Sequence, residues 1–472
     1  MTLVILAFLV GLAFWIPILQ RWRRGIYLLL AYMPFAGVVT LSLYPSPWPT
    51  LFKDIVFVIP VYLSFFLLRR QNNPAVRIPQ FIIGAMLVLA SLVFFQMFNP
   101  GVANWMVAAI GAKVWLFYLP LFFLANAFLN SRDDLIKVLR LMVLVAWVPC
   151  TVGIAEWVGS MAFGYEATME AIYGDAASQA TQEFTSFDVG GSFFRIPSTF
   201  VFVTQYFGYT LAMIVPAYAL AEMDRSRAWR GVSTATLVLV VVASFLSGAR
   251  SAYVFVPLLL GLCYLIDGRL KGVIGIVVFI PILLLIALYI GGIDPVAMFE
   301  MIFELTTMYG DEIAYQGLID AIQSAPLGVG TGMNTGPARY AFDDPLGFVA
   351  FENYYAKAVY ELGILGLVVV VVLFAALVVN GYRSSRRIRD KGLRSCAAAI
   401  LAFIVTMALN SFKGWQMDFD PINVYFWLFA GILFKLEYLP PYLESQREQS
   451  ATVPGRSLPL HKSYLERAEP SR

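Results

Sequence analysis

Two apolar runs that meet at a single arginine decide the fold: VSTATLVLVVVASFLSGARSAYVFVPLLLGLCYLI, residues 232–266. The runs 232–246 and 252–266 have the apolar character of membrane spans, and only a short turn separates them. Arg250 lies in that turn. A guanidinium costs about 2.5–3.5 kcal/mol toward the centre of a bilayer, so we expect an anionic partner for Arg250. The alternative is an arginine that reaches lipid phosphate groups.

The composition extends this pattern to the whole chain. Of its 472 residues, 60% are hydrophobic and 13% are charged, and the mean hydropathy is +0.75. Such values are typical of a polytopic membrane protein and exclude a soluble domain. We predict an all-α fold with about thirteen transmembrane helices. The predicted spans are 3–19, 26–43, 51–68, 78–98, 112–129, 135–158, 198–221, 232–246, 252–266, 270–290, 353–380, 395–412 and 421–437.

The positive charges predict how these helices are oriented. Every second connection is rich in Lys and Arg, and the intervening connections are neutral or acidic. Because basic connections stay in the cytoplasm, this alternation predicts an outside N-terminus and a cytoplasmic C-terminus. The basic connections are 21–24, 69–77, 132–140, 225–230, 269–271 and 383–394.

The predicted organisation is one transmembrane domain, residues 1–439, followed by a polar tail at 440–472. The tail has few large apolar residues, so we expect it to be disordered in the cytoplasm. Two outward loops, 159–194 and 291–352, are acidic and longer than ordinary turns. Within the second loop, helical spacing predicts an amphipathic helix that ends at Ala325. Its apolar residues are Ile313, Leu318, Ile319 and Ile322.

A few outward cations contrast with these acidic loops and are candidates for binding an anion. They are Lys113, Arg195, Arg250, Arg339, Lys357 and Lys413. Arg195 precedes a predicted helix whose first turn would contain Ser198 and Thr199. A guanidinium beside the free N–H groups of a helix start suits a phosphate. The alternative for Arg195 is a salt bridge to Glu183 or Asp188.

The lysines have structural alternatives as well. Glu361 lies four residues after Lys357, so the two side chains would pair on one helix face. Lys113 and Lys413 would serve as interfacial anchors, with apolar stems in the membrane and ammonium groups in water.

Several kinds of chemistry are excluded by the residue content. The single histidine, His461, lies in the tail, which excludes a histidine-based triad or metal site from the membrane domain. Cys150, Cys263 and Cys396 lack paired spacing, so neither a disulfide nor a zinc site is expected. No metal or other cofactor is predicted. The glycines of 328–332 suggest a phosphate loop, but no Lys-Ser/Thr follows them, and we expect a tight turn instead.

Three stretches occur in a fixed order along the chain. They are Arg195-Ile-Pro-Ser-Thr-Phe before a membrane helix, Leu246-Ser-Gly-Ala-Arg-Ser-Ala-Tyr, and residues 317–332 followed by Glu352-Asn-Tyr-Tyr and Glu361-Leu-Gly-Ile-Leu-Gly. Together they resemble the O-antigen polymerase and O-antigen ligase superfamily of bacterial membrane glycosyltransferases. The resemblance implies a GT-C-like architecture in the bacterial inner membrane, with an active site that faces the periplasm.

One difference from the family indicates a particular branch. Ligases of the superfamily, and many polymerases, have a His-Asn pair where this chain has Glu352-Asn353. This variant is similar to exopolysaccharide and capsule polymerases. The resemblance therefore favours polymerisation of repeat units over ligation of a polymer to lipid A core.

The resemblance also implies the reaction. An oligosaccharide on undecaprenyl pyrophosphate is an activated donor, which needs neither nucleotide nor metal, and transfer is expected to invert the sugar carbon. Arg195 and Arg250, with Arg339, would stabilise the charge that develops on the diphosphate. Glu352 would act as general base, or would instead cap a helix or pair with an arginine. The predicted substrate-binding set is completed by Lys113, Asn353 and Lys413.

The implied partners are membrane lipids, a flippase and a chain-length regulator, with no nucleic acid. A transporter or flippase is an alternative, and it would place ionisable groups near the bilayer midplane. Glu156, Lys113 and Glu361 are instead predicted toward the outer ends of their spans, which favours an outward-facing active site. A noncatalytic scaffold of an export complex is the third alternative.

Overall fold

The computed structural model describes residues 2–43, 48–68, 76–174, 186–188, 192–290, 294–342 and 351–439. The predicted tail at 440–472 lies outside the described residues, and so does Glu183. Helices dominate the described part of the chain, and a two-stranded antiparallel hairpin, β1 (Ser186–Asp188) and β2 (Ser192–Phe194), accompanies them.

The helices of the first third of the chain are partly short and interrupted. Between Trp48 and Leu67 the chain passes through a 3-10 turn (Trp48–Leu51), two π-helical segments (Asp54–Val58 and Leu63–Leu67) and the α-helical turn α5 (Ile59–Tyr62). The other helices before residue 175 are α1 (Thr2–Leu12), α2 (Trp15–Gln20), α3 (Trp22–Tyr32), α4 (Ala36–Ser42), α6 (Gln80–Gln96), α7 (Trp105–Leu116), α8 (Pro120–Phe128), α9 (Arg132–Phe163) and α10 (Tyr165–Tyr173).

Longer helices follow the hairpin. They are α11 (Val203–Met223), α12 (Arg227–Leu246), α13 (Ala252–Ile266), α14 (Leu270–Ile290), α15 (Pro295–Met308), α16 (Gly317–Ser324), α17 (Tyr354–Arg387), α18 (Lys391–Asn410) and α19 (Ile422–Leu436). A π-helical segment, Tyr309–Gln316, joins α15 to α16, and a 3-10 turn, Gly336–Ala341, lies between α16 and α17. The 3-10 turn Gln416–Asp418 lies in the connection between α18 and α19.

Each predicted span coincides with one helix or with a run of consecutive helices. Among the described residues, seven helical stretches are long and apolar enough to cross a membrane, and α9 and α17 are the longest of them. Shorter apolar helices such as α6, α13 and α19 add to these. The chain is therefore an all-α polytopic membrane protein, as its composition and periodicity predict.

Helix α11 lies at the centre of the bundle. It packs against α9, α12 and α18, and nearly all of its residues are buried. Small residues permit this close packing: a Cβ atom at Gly208 would lie 2.8 Å from the side chain of Ile422 at the start of α19. The residues just before α11, which include Arg195, are consequently held against the core of the protein.

Helix α17 is broken near its beginning, and the glycine-rich segment fits into the break. Gly363 has a φ of +79°, and a Cβ atom there would lie 2.7 Å from the backbone of Leu327. The amides of Val329 and Gly330 donate to carbonyls of α17 at 2.8 and 3.2 Å. Gly328, Gly330 and Gly332 all have positive φ. The prediction of a tight turn at 328–332 is confirmed.

The second long loop contains the predicted amphipathic helix. Helix α16 spans Gly317–Ser324, its C-cap is Ala325, and it packs against α17. Several helix boundaries differ from the predicted spans. Helix α7, for example, begins at Trp105 instead of 112, because Asn104 caps it by accepting from the amides of Met106 and Val107 at 3.0 Å. Lys113 therefore lies two turns inside a helix and not at its start.

Candidate active site

Arg195 and Arg250 lie on two segments that a backbone hydrogen bond joins. The amide of Ile196 donates to the carbonyl of Ser247 at 2.9 Å. Gly248 has a φ of +72°, and a Cβ atom there would lie 2.2 Å from the carbonyl oxygen of the residue before Arg195. A glycine is thus required at this turn both for its backbone conformation and for the close approach. The turn brings together two arginines that are 55 positions apart in sequence.

A buried carboxylate fixes the segment that follows Arg195. Glu156 in α9 is fully buried, and it accepts from the amide of Ser198 at 2.9 Å and from the hydroxyl of Tyr173. Ser198 has a φ of +52°, and its hydroxyl donates to the carbonyl of Pro149 at 2.6 Å. The prediction that Ser198 and Thr199 form the first turn of a helix is wrong, because these side-chain bonds hold an irregular turn and α11 begins at Val203.

Tyr165 supports the same segment from α10. Its hydroxyl donates to the carbonyl of Arg195 at 3.4 Å, and its ring stacks on Phe194 with the centroids 5.9 Å apart. Helix α10 belongs to the first predicted outer loop, so part of that loop acts as a packed support for Arg195. The alternative salt bridge from Arg195 to Glu183 or to the side chain of Asp188 lies outside the described residues.

Lys413 and Glu352 belong to two further segments, which contact each other at the start of α17. The amide of Tyr354 donates to the carbonyl of Ser411 at 2.9 Å, which joins the start of α17 to the end of α18. Burial together with the positive charges of Arg250 and Arg195 lowers the pKa of Lys413 from 10.5 to about 8, against an opposing effect of Glu352. We refer to Arg195, Arg250 and Lys413, with Glu352 beside them, as the cation cluster.

Glu352 and Asn353 are neighbours in sequence but differ in environment. The carboxylate-bearing Glu352 is exposed, whereas Asn353 is buried. The side-chain oxygen of Asn353 accepts from the amide of Tyr355 at 2.8 Å, and its side-chain nitrogen donates to the carbonyl of Ala314 at 3.0 Å. Asn353 is the N-cap of α17, so the capping role that was an alternative for Glu352 is filled by Asn353. Substrate binding by Asn353 stays a prediction.

Arg339 lies at the edge of this region. It is exposed, on the 3-10 turn Gly336–Ala341. That turn is tied to the start of α7 by Asn104, whose side-chain nitrogen donates to the carbonyl of Ala341 at 2.7 Å. At its other end, a Cβ atom on Gly336 would lie 3.6 Å from the ring of Trp415, two residues after Lys413. The turn of Arg339 therefore flanks the segment that carries Lys413.

Lys113 belongs to a different group of charges. Its ammonium lies 2.6 Å from a carboxylate oxygen of Asp54. The other oxygen of Asp54 lies 3.1 Å from Lys53 and accepts from the hydroxyl of Tyr118 at 2.6 Å. Lys53 also lies 2.8 Å from Asp420. Lys113 is therefore a member of an ion network. The alternative prediction, a simple interfacial anchor, does not describe this pairing.

Lys357 pairs with a partner that the sequence did not indicate. Its ammonium contacts the carboxylate of Asp418, and both side chains are almost completely buried. The predicted pair with Glu361 is wrong, because Glu361 instead accepts from Trp115 at 2.7 Å, from the amide of Asn334 at 2.8 Å and from the hydroxyl of Thr335 at 2.9 Å. Glu361 thus secures the residues that follow the glycine-rich turn.

The two ion-paired groups adjoin each other through α7. The ammonium of Lys357 lies 4.9 Å from the centre of the ring of Trp115, two residues after Lys113. We refer to both groups together as the buried ion network. Its members are Lys53, Asp54, Lys113, Lys357, Asp418 and Asp420.

Sequence reasoning missed most of this network. Adjacent charges at Lys53 and Asp54, inside the otherwise apolar span 51–68, are a signal that could have revealed one end of it. Asp418 and Asp420 follow no spacing that links them to their lysine partners. Only the packing of α7, α17 and the connection before α19 brings these residues together.

Comparison with known families adds independent information on the same segments. Residues 235–371 match the O-Antigen ligase family model. The match confirms the resemblance to the O-antigen polymerase and ligase superfamily, and it indicates a membrane enzyme of glycosyltransferase or ligase type. The matched range contains Arg250, Arg339, Glu352 and Lys357, whereas Arg195 and Lys413 lie outside it. No curated protein matched the chain.

Proposed function

We propose that the protein polymerises oligosaccharide repeat units carried on undecaprenyl pyrophosphate into a surface polysaccharide, at the periplasmic face of the bacterial inner membrane. The observation that carries the proposal is the cation cluster. Backbone hydrogen bonds join the segment of Arg195 to that of Arg250, and the segment of Glu352 to that of Lys413. The charges of Arg250, Arg195 and Glu352 all act on the pKa of Lys413, which relates the two pairs of segments. The family match and the alternation of basic connections support the membrane location and the orientation.

The cation cluster suits a ligand that carries two phosphates. Lys413 has a lowered pKa because two guanidinium groups and burial disfavour its charge. A diphosphate bound between these groups would reverse that effect, since each cation would then face negative charge. Arginine forks would also bind more strongly as charge grows on the departing diphosphate, which is what lowers a reaction barrier.

The transfer itself needs one base and one leaving group. The hydroxyl oxygen of the acceptor sugar would form a bond to the anomeric carbon of the donor as the bond from that carbon to the diphosphate oxygen breaks. The electron pair of that bond leaves with the lipid diphosphate, which the cations stabilise. The hydroxyl proton passes to Glu352, whose exposed position leaves it accessible to a sugar. Attack opposite to the leaving group inverts the anomeric configuration.

Ligation of a finished polymer to a lipid acceptor is the second candidate, and the description of the matched family favours it. Both reactions use the same donor chemistry and differ in the acceptor. The pair Glu352-Asn353, in the place of the His-Asn of ligases, favours polymerisation.

The proposal is tested by product analysis in a strain that lacks the protein. The strain is complemented with wild type, Arg250→Ala or Glu352→Gln, and the surface polysaccharide and lipid-linked intermediates are sized. We expect the deletion to accumulate single lipid-linked repeat units on the outer leaflet, and we expect neither variant to restore long polymer at normal membrane levels. Long polymer that stays unattached would indicate a ligase, and intermediates held on the cytoplasmic leaflet would indicate a flippase.

Arg140→Ala is the matched control in this experiment. Arg140 is also a partly buried arginine, but it pairs with Asp224 at 2.8 Å and is not a member of the cation cluster. It should restore long polymer when its membrane level equals that of wild type. Failure of all arginine variants alike would mean that the loss reports folding and not the chemistry of the cluster.

A further inference from the structure

We propose that the buried ion network is a positioning device: it holds the connection between α18 and α19, residues 411–421, against the start of α17, so that Lys413 keeps its place in the cation cluster. The inference rests on the proposed function for its meaning, because that function gives Lys413 a ligand. Lys53, Lys357, Asp418 and Asp420 would then be positioning residues, which act through Lys413 and do not touch the substrate.

The connection 411–421 is anchored where its carboxylates lie. Asp418 contacts Lys357 of α17, and Asp420 lies 2.8 Å from Lys53. Lys413 lies at the other end of the connection, where its amide donates to the carbonyl of Asn410 at 2.9 Å. One connection therefore links the network to the cation cluster.

Two further bonds align the connection with the start of α17. The carbonyl of Ser411 accepts from the amide of Tyr354 at 2.9 Å. The indole N–H of Trp415 donates to the carbonyl of Phe351, the residue before Glu352. Lys413 lies between these two contacts, so any shift of the connection moves it relative to Glu352.

The charges of the cluster act on Lys413 in opposite senses. Arg250 and Arg195 both disfavour the charge of Lys413, and Glu352 opposes them with a smaller effect. These like charges favour a greater separation of Lys413 from the two guanidinium groups, and anchors on the connection act against that separation. The pairs Asp418–Lys357 and Asp420–Lys53 tie it to two other parts of the fold.

Burying these charges is a costly way to gain stability alone. Taking an ammonium and a carboxylate out of water offsets most of their attraction, and an apolar pair of similar size often gives equal or greater stability. The Lys357–Asp418 pair has 0% and 2% of its side-chain surface exposed. Unlike an apolar pair, an ion pair gives each charged group one specific partner, so it fixes which two residues contact each other. That property suits a loop whose position matters.

The test measures the position of Lys413 directly. The full-length protein in nanodiscs is labelled with acetic anhydride across a pH series, and acetylation of Lys413 is quantified by mass spectrometry. The wild-type midpoint should lie near pH 8.

The double variant Lys357→Met, Asp418→Asn removes one positive and one negative charge that are in contact, so it changes the direct electric field at Lys413 little. If the connection shifts, the midpoint rises toward 10.5. A midpoint higher by one pH unit would lower labelling at pH 8 about fivefold.

Arg140→Met with Asp224→Asn is the matched control, since Asp224 is as buried as Asp418 but lies elsewhere in the fold. Its midpoint should stay near that of wild type. An unchanged midpoint in the Lys357/Asp418 double variant overturns the inference, whatever polymer the cells make. A raised midpoint with normal polymer supports the positioning role of the network, but it contradicts the proposed role of Lys413 in the reaction. If the double variant does not fold, Asp420→Asn is measured in its place under the same criteria.

Discussion

The cation cluster and the buried ion network are built from similar side chains, yet their charges are arranged in opposite ways. In the network, three lysines pair with three aspartates. Lys53 and Lys113 have nitrogen–oxygen distances of 2.6 to 3.1 Å to Asp54 and Asp420, and Lys357 contacts Asp418. In the cluster, the charges that act on Lys413 are two arginines and one glutamate, and together with burial they lower its pKa. The network pairs each lysine with a carboxylate, whereas in the cluster two guanidinium groups disfavour the charge of Lys413. We therefore assign the network an architectural role, and our proposal places the diphosphate at the cluster.

The largest expected effect comes from breaking a pair of the network. Lys357→Met leaves the carboxylate of Asp418 buried without its ammonium, so we expect a loss of about 3–5 kcal/mol in the free energy of unfolding. Thermal unfolding in detergent measures it. The double variant with Asp418→Asn should recover most of that loss, because no charge is then buried alone. A single variant as stable as wild type would show that the pair is dispensable and would weaken the contrast between the two regions.

Removing a cation from the cluster should lower the transfer rate and not the stability of the protein. In the proposed function Arg250 donates to the diphosphate, so we expect Arg250→Ala to lower the transfer rate by about 10²–10³. Its thermal unfolding midpoint should not fall as that of Lys357→Met does, because repulsion on Lys413 is relieved. Arg250→Lys should recover only part of the rate, since an ammonium lacks the fork that matches phosphate. Full activity in Arg250→Ala would contradict the assignment.

Glu352→Gln tests the one carboxylate of the cluster. We expect a rate loss of about 10²-fold or more with unchanged stability, because Glu352 is exposed and lies outside the helix cap. The neighbouring residue provides the contrast: Asn353→Ala should lower stability by about 1 kcal/mol through loss of the α17 cap. Rates and unfolding midpoints measured on both variants would separate the two roles. Equal rate losses would contradict the separation.

The sequence was informative where the signal was an apolar run or a glycine-containing turn. Apolar run lengths predicted the spans, and the Ser-Gly-Ala-Arg turn, with a glycine at a φ of +72°, predicted where Arg250 would lie. Helix spacing suggested Glu361 as the partner of Lys357, but Asp418, 61 positions away, takes that place. Spacing along one helix does not reveal a partner that tertiary packing brings close from a distant segment. Ser198 was misplaced for the same reason, since its backbone is fixed by Glu156, 42 positions earlier.

The pH dependence of transfer should report Lys413. Its pKa is lowered to about 8, so it is mostly protonated at pH 7 and loses its charge as the pH rises through 8. Donor binding favours the protonated form, and kcat/KM should therefore fall above pH 8, approaching tenfold per pH unit if the charge is essential. In Lys413→Arg this decline should be absent up to pH 9.5, because a guanidinium stays charged. The same decline in both proteins would assign it to another group.

The most direct test of the central claim is the release of lipid diphosphate by purified protein in nanodiscs, supplied with one defined diphosphate-linked oligosaccharide. Wild type, Arg250→Ala and Arg140→Ala are compared at equal amounts of folded protein. The account predicts a loss of about 10²–10³ for Arg250→Ala and a rate within a few-fold of wild type for Arg140→Ala. Equal rates for the two variants would contradict the claim that the cation cluster is where the donor reacts.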